Sequence, residues 1–78
     1  MIVEGVSRGK FSEEVQHVED IIRRRFAIGS VISERRLKEE LMKQEYSLGS
    51  IEKALFKLLQ KEVLMYEERR TRIRRVRA

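Results

Sequence analysis

Two amphipathic segments set only a few residues apart limit this chain most severely. The first, about 34–44, places Leu37, Leu41 and Met42 on one side, with Glu34/Lys38 and Glu39/Lys43 spaced as i,i+4 pairs. The second, from about residue 51 to Glu62, repeats Ile51, Ala54, Leu55, Leu58 and Leu59 at intervals of three and four, the signature of a helix with one buried face. Ser33 is placed to cap the former, and either Ser47 or Ser50 to cap the latter. Helices this close, with Gly49 near the break, match a helix-turn-helix.

The flanks extend the pattern. Ser12 stands where an N-cap belongs, with Glu13 and Glu14 in the first turn. Val15, Val18, Ile22 and Phe26 then line one face, Arg23 to Arg25 fill the last turn, and Gly29 ends the helix. Residues 1–11 read as an N-terminal arm, loose or a strand, ahead of a domain over 12–78. Ser30 to Ser33 suits a brief strand. Val63 to Tyr66, with Ile73 and Val76, fits a hairpin, although no Gly, Asn or Pro lies between Glu67 and Thr71. The three-residue step from Ile73 to Val76 requires a bulge or a strand end. The competing reading continues the third helix through this stretch, which is rich in good helix formers. The expected fold is α+β and mostly helical, three helices followed by a C-terminal β-hairpin.

Residues 12–78 resemble the winged helix-turn-helix superfamily. The resemblance is carried by the run Ser47-Leu48-Gly49-Ser50-Ile51-Glu52-Lys53-Ala54-Leu55-Phe56-Lys57-Leu58-Leu59-Gln60-Lys61-Glu62-Val63-Leu64, which is similar to the family's recognition helix in its capped start, Ala-Leu centre, paired Leu and Lys-Glu-x-Leu exit. It departs at Val63, where the family commonly has Gly. Within the superfamily the chain is also similar to winged-helix modules at the ends of archaeal replicative helicases and of cullins, which work partly or wholly through protein contacts.

At 78 residues the chain holds one small domain. It lacks the roughly 18-residue apolar run of a membrane span and the apolar region of a signal peptide, so no membrane partner and a cytoplasmic location, or a nuclear one in a eukaryote, are expected. Without cysteine there are no disulfides or thiolate metal sites. His17, the single histidine, has Glu13 and Asp20 near it on the helix but no second His, and reads as a surface residue. With no nucleophile beside His17 and no glycine-rich phosphate loop, neither an enzyme nor a cofactor or metal is expected.

The net charge of +5 is unevenly placed. Residues 1–68 hold 12 Lys and Arg against 13 Asp and Glu, whereas residues 69–78 hold six Arg and no acid. A cluster of like charges favours a polyanion, and nucleic-acid phosphate fits the Arg fork. The resemblance implies that the third helix enters the major groove while the wing meets the backbone. Ser50, Lys53, Lys57, Gln60 and Lys61 then face the groove, and Arg69, Arg70, Arg72, Arg74 and Arg75 form the basic wing. No Arg or Asn on the helix reads bases bidentately, so phosphate contacts dominate. The expected function is docking of double-stranded DNA in a transcriptional or chromatin setting. Surplus apolar residues Phe11, Ile21, Ile28, Phe56 and Val63 suit either a homodimer that supplies two half-sites or the sealing of the arm and hairpin onto the core. The alternative is a protein-interaction winged helix within a replication, division or ubiquitin-type assembly.

Overall fold

The computed structural model describes the backbone of residues 2–77 and the side chains of residues 11–77. The elements run α1 (Ile2–Arg25), β1 (Val31–Ser33), α2 (Glu34–Lys43), α3 (Leu48–Gln60), β2 (Leu64–Glu67) and β3 (Arg72–Arg75). All three strands pair antiparallel in the order β1-β3-β2, so β3 is central and both other strands are edges.

The helix caps follow the sequence closely. Ser33, in extended backbone, accepts the Arg36 N–H on its hydroxyl at 3.1 Å and starts α2. Ser47 does the same for α3 by accepting from the Ser50 N–H at 3.2 Å, so the earlier of the two serines is the cap. The end of α3 is a Schellman turn: the Val63 N–H reaches the Leu58 carbonyl at 2.9 Å and the Glu62 N–H reaches that of Leu59 at 3.1 Å. The left-handed residue of that turn is Glu62, at φ 61°. The left-handed position thus falls on Glu62, one residue before Val63, which is a buried core residue.

One core joins all the layers. Val15, Val18 and Ile22 of α1 meet Leu37 and Leu41 of α2, and Ile51, Ala54, Leu55 and Leu58 of α3. Val63, Leu64 and Ile73 close it from the hairpin side. Each large aliphatic side chain buried this way contributes about 1.5–3 kcal/mol against exposure. Met42, placed beside Leu41 in the sequence pattern, is exposed.

Two expectations about α1 need correction. The helix does not begin at Ser12: its backbone is helical from Ile2, and residues 2–11 are its first turns rather than an arm. Gly5 and Gly9 each cost a helix about 1 kcal/mol relative to Ala, whereas only a proline would break it. Nor does Gly29 end it, since α1 stops at Arg25. Gly29 (φ +95°) serves the following turn, donating its N–H to the Arg75 carbonyl at 2.7 Å.

The hairpin forms, and α3 does not run on. Its tip is made without glycine: Glu68, Arg69 and Arg70 adopt φ of 51°, 58° and 69° in succession. Left-handed backbone matches the twist of paired strands but costs a non-glycine residue about 1 kcal/mol. Thr71 braces the tip, its N–H and hydroxyl both donating to the Glu68 carbonyl at 3.1 and 2.7 Å. The three-residue step from Ile73 to Val76 is a strand end. Ile73 and Arg75 share the inward face of β3, and Val76 lies just past it.

Candidate functional site

The residues expected to touch DNA separate into three groups. Ser50 and Arg75 are inside the protein. Ser50 is fully buried, its hydroxyl accepting from the Ser47 hydroxyl at 2.9 Å. Arg75, 7% exposed, donates to the carbonyls of Arg23 (2.9 Å), Phe26 (2.5 Å) and Arg77 (2.7 Å). The first two are carbonyls at the end of α1, where a cation also complements the helix dipole. Both positions are corrections to the expected interface: Ser50 follows the cap into the α3 core face, and the alternation of β3 turns Arg75 inward with Ile73.

A second group is engaged within the domain, by acids or by an aromatic ring. Lys61 lies 3.2 Å from Glu19, a carboxylate on α1 that is 1% exposed and whose other oxygen has no partner. A phosphate that drew Lys61 away would strand a buried charge, which is strongly unfavourable. Arg72 pairs with Glu68 at 3.5 Å, and Arg74 is held by Glu67 and reaches the Gly29 carbonyl at 3.4 Å. Glu67 raises the Arg74 guanidinium above its ordinary pKa through a hydrogen bond and its charge. Arg70 sits 5.7 Å over the Tyr66 ring. Tyr66 in turn donates to Glu34 at 3.2 Å, and burial together with the Glu34 charge raises its phenol above the usual value of about 10.

The third group remains presented to solvent: Lys53, Gln60 and Arg69 are exposed, and Lys57 is half-buried. The sequence pattern joins Lys53, Lys57 and Lys61 into one ridge, but the fold divides it: Lys61 is held against α1 by Glu19, and Lys53 stays on the outward side. At 100° per residue, Phe56, Gly49, Gln60 and Lys53 fall within about 60° of one another and form the outward crest of α3. Phe56 is 52% exposed on that crest, with the Lys53 ammonium 5.7 Å from its ring. Leu48, also exposed, begins the same helix, and Phe11 of α1 is exposed beside Gly49, where a Cβ would meet its ring at 3.8 Å. Of the surplus apolar residues, Val63 is in the core and Ile21 packs against it, so Phe11, Ile28 and Phe56 remain outside.

Surface pairs account for the other basic runs. Arg35 meets Glu39 at 3.4 Å and Arg36 meets Glu40 at 3.6 Å along α2. His17 tilts against Tyr46 with centroids 5.8 Å apart, beside Glu13 and Glu14.

Three helices, a strand between the first two, and a hairpin that pairs back onto that strand define a winged helix-turn-helix domain. More narrowly, the chain belongs to the family of the MCM5 C-terminal domain, which matches residues 17–75, from within α1 to the last residue of β3. The expected similarity to terminal winged-helix modules of replicative helicases thus stands at the level of the MCM helicases. No individual protein of curated function matches the sequence.

Proposed function

We propose that this domain is a protein-docking winged helix of an MCM replicative-helicase assembly, working by binding with no chemical step. The observation that carries this reading is Phe56, an exposed aromatic at the crest of α3, where a base-reading helix presents polar side chains. A half-exposed aromatic with apolar neighbours is the type of residue that anchors protein interfaces. Its full burial by a partner is worth roughly 1–2 kcal/mol, part of the 1.5–3 kcal/mol of a whole side chain. The family match supports a replication setting over a transcriptional one.

Duplex DNA is the second reading, favoured by the wing tip. Arg69 is exposed on a left-handed turn, and among the described residues it lies within ion-pair distance of no carboxylate. Contact with about four phosphates would give a log–log salt slope near −3.6. The deciding experiment measures binding to recombinant MCM subunits and, separately, to a duplex at two salt concentrations. Under the docking reading, Phe56→Ala weakens subunit binding roughly tenfold. If Phe56→Ala leaves subunit binding intact while Arg69→Ala and Arg70→Ala flatten a steep salt slope, the DNA reading replaces it. Sedimentation of the free chain reports whether a second copy is itself the partner.

A further inference from the structure

The outer edge of β1 carries a second feature, which shares no residue with the crest of α3. A cleft of about 560 Å³ runs along this strand, lined by all of residues 30–33 together with Phe26, Arg36, Glu40 and Arg72. A cleft on a sheet face is lined by alternate residues of a strand, because side chains alternate between faces. Consecutive lining residues mean that this cleft follows the strand's backbone edge.

The hydrogen-bond phase shows what that edge offers. Arg75 N–H reaches the Ser30 carbonyl at 2.9 Å, and Glu34 N–H reaches the Thr71 carbonyl at 3.0 Å, with Ile32 opposite Ile73 between them. Positions 30, 32 and 34 therefore turn their backbone groups toward β3. In an antiparallel ladder the intervening residues point the other way, so the Val31 N–H and C=O and the Ser33 N–H face the cleft. Among the described residues the strand order puts no further strand on that side. Such an edge is a template for strand addition.

The side chains around the edge select the occupant. Val31 is exposed, and Ile28 beside the strand is 61% exposed. Two guanidinium groups, Arg36 and Arg72, flank the cleft against the single carboxylate Glu40. Their own pairs, Arg36 with Glu40 and Arg72 with Glu68, are solvent-exposed contacts of 3.6 and 3.5 Å. Exposed pairs of this kind hold together by at most about 1 kcal/mol, so an incoming carboxylate exchanges readily with either.

We infer that β1 receives an extended peptide of a protein partner, one that alternates acidic and apolar residues and adds as a fourth strand beside Val31. Backbone pairing at Val31 and Ser33 supplies the register. Directly paired residues share a face, so carboxylates lie on the face that Val31 shares with Arg72, and apolar side chains on the opposite face lie against Phe26.

The test uses the whole chain and a blocked heptapeptide alternating glutamate and valine, supplied at about 1 mM to reach the weak end of measurable affinity. Amide hydrogen exchange is read residue by residue. The expected result is slowing of roughly tenfold or more at Val31 and Ser33, with none from a lysine–valine peptide of equal length. The double change Arg36→Glu with Arg72→Glu abolishes this slowing, and so does Val31→Pro, which removes an outward N–H. Should Val31→Pro fail to fold, the double charge reversal decides alone. Absence of slowing at Val31 and Ser33, slowing on the β2 edge instead, or equal slowing by a single-stranded oligonucleotide overturns the inference. Phe56→Ala leaves this readout unchanged, which separates it from docking at α3.

Discussion

Arg75 donates from its guanidinium to the carbonyl oxygen of Arg23 at 2.9 Å, so the last strand of the chain closes the open end of its first helix. Residues 52 positions apart are joined by a charge-assisted bond in a place the solvent hardly reaches. Replacing Arg75 with Ala leaves carbonyls at the end of α1 without their donor. A loss of about 2–4 kcal/mol is expected, from the charge-assisted bonds and the helix terminus together. Urea unfolding checks it. Arg75→Lys recovers only part of the loss, because an ammonium cannot span the same set of carbonyls. A midpoint unchanged by Arg75→Ala would show that the guanidinium is dispensable there.

The turn after α3 gives a pair of opposite predictions at adjacent positions. Glu62 holds a left-handed φ of 61° and its pair with Arg77, 3.3 Å apart, is exposed on both sides. Glu62→Gly is expected to stabilise by about 0.5–1 kcal/mol, the relief of a non-glycine residue at a helix C′ position. Val63→Gly, one residue along, destabilises by about 2 kcal/mol or more because it empties a core site. Thermal unfolding of the two variants side by side tests both signs.

Lys61 and Glu19 are expected to be coupled. Lys61→Ala strips its one partner among the described residues from a carboxylate that is buried at the α1 and α3 contact, at a cost of about 2 kcal/mol. Glu19→Leu with Lys61→Ala restores most of the stability, since a packed hydrophobe replaces a buried ion without loss. A double-mutant cycle in urea measures the coupling, and additive single effects would refute it.

Tyr66 sets a limit at high pH. Its phenol is raised above about 10 by burial and by Glu34, so the folded state holds the proton more tightly than the unfolded chain. The stabilisation is fully present below pH 10 and is lost as pH rises through the folded value. Tyr66→Phe should flatten this alkaline decline, followed by unfolding midpoints across that range. An identical decline in the variant would assign it to other groups.

Much of this architecture was legible in residue spacing. The serine caps at Ser33 and Ser47, the stripes on α2 and α3, and the brief strand near Val31 are local consequences of sequence, and the structure has them where the spacing puts them. The candidate site was less legible, for a physical reason. A helical wheel shows which residues share a face but not how wide the buried arc is. On α3 that arc reaches Ser50 and Ala54, which moves the exposed crest onto Phe56 and leaves Lys61, at the end of the ridge, against α1. Arg75 was obscured in another way. Strand alternation puts residue 75 on the same face as Ile73, but an arginine is read as outward until carbonyls are known to wait for it.

The two acids that α1 lends to α3 have a mechanical consequence. Glu14 accepts the Ser47 N–H at 2.9 Å where α3 begins, and Glu19 holds Lys61 where α3 has just ended. The two acids are only about 7.5 Å apart along α1, while the two positions they grip are roughly 21 Å apart along α3. The first helix thus holds α3 at both of its ends like a bar held by two bolts. Turning the crest of α3 relative to α1 means breaking both contacts, one of them to a buried carboxylate.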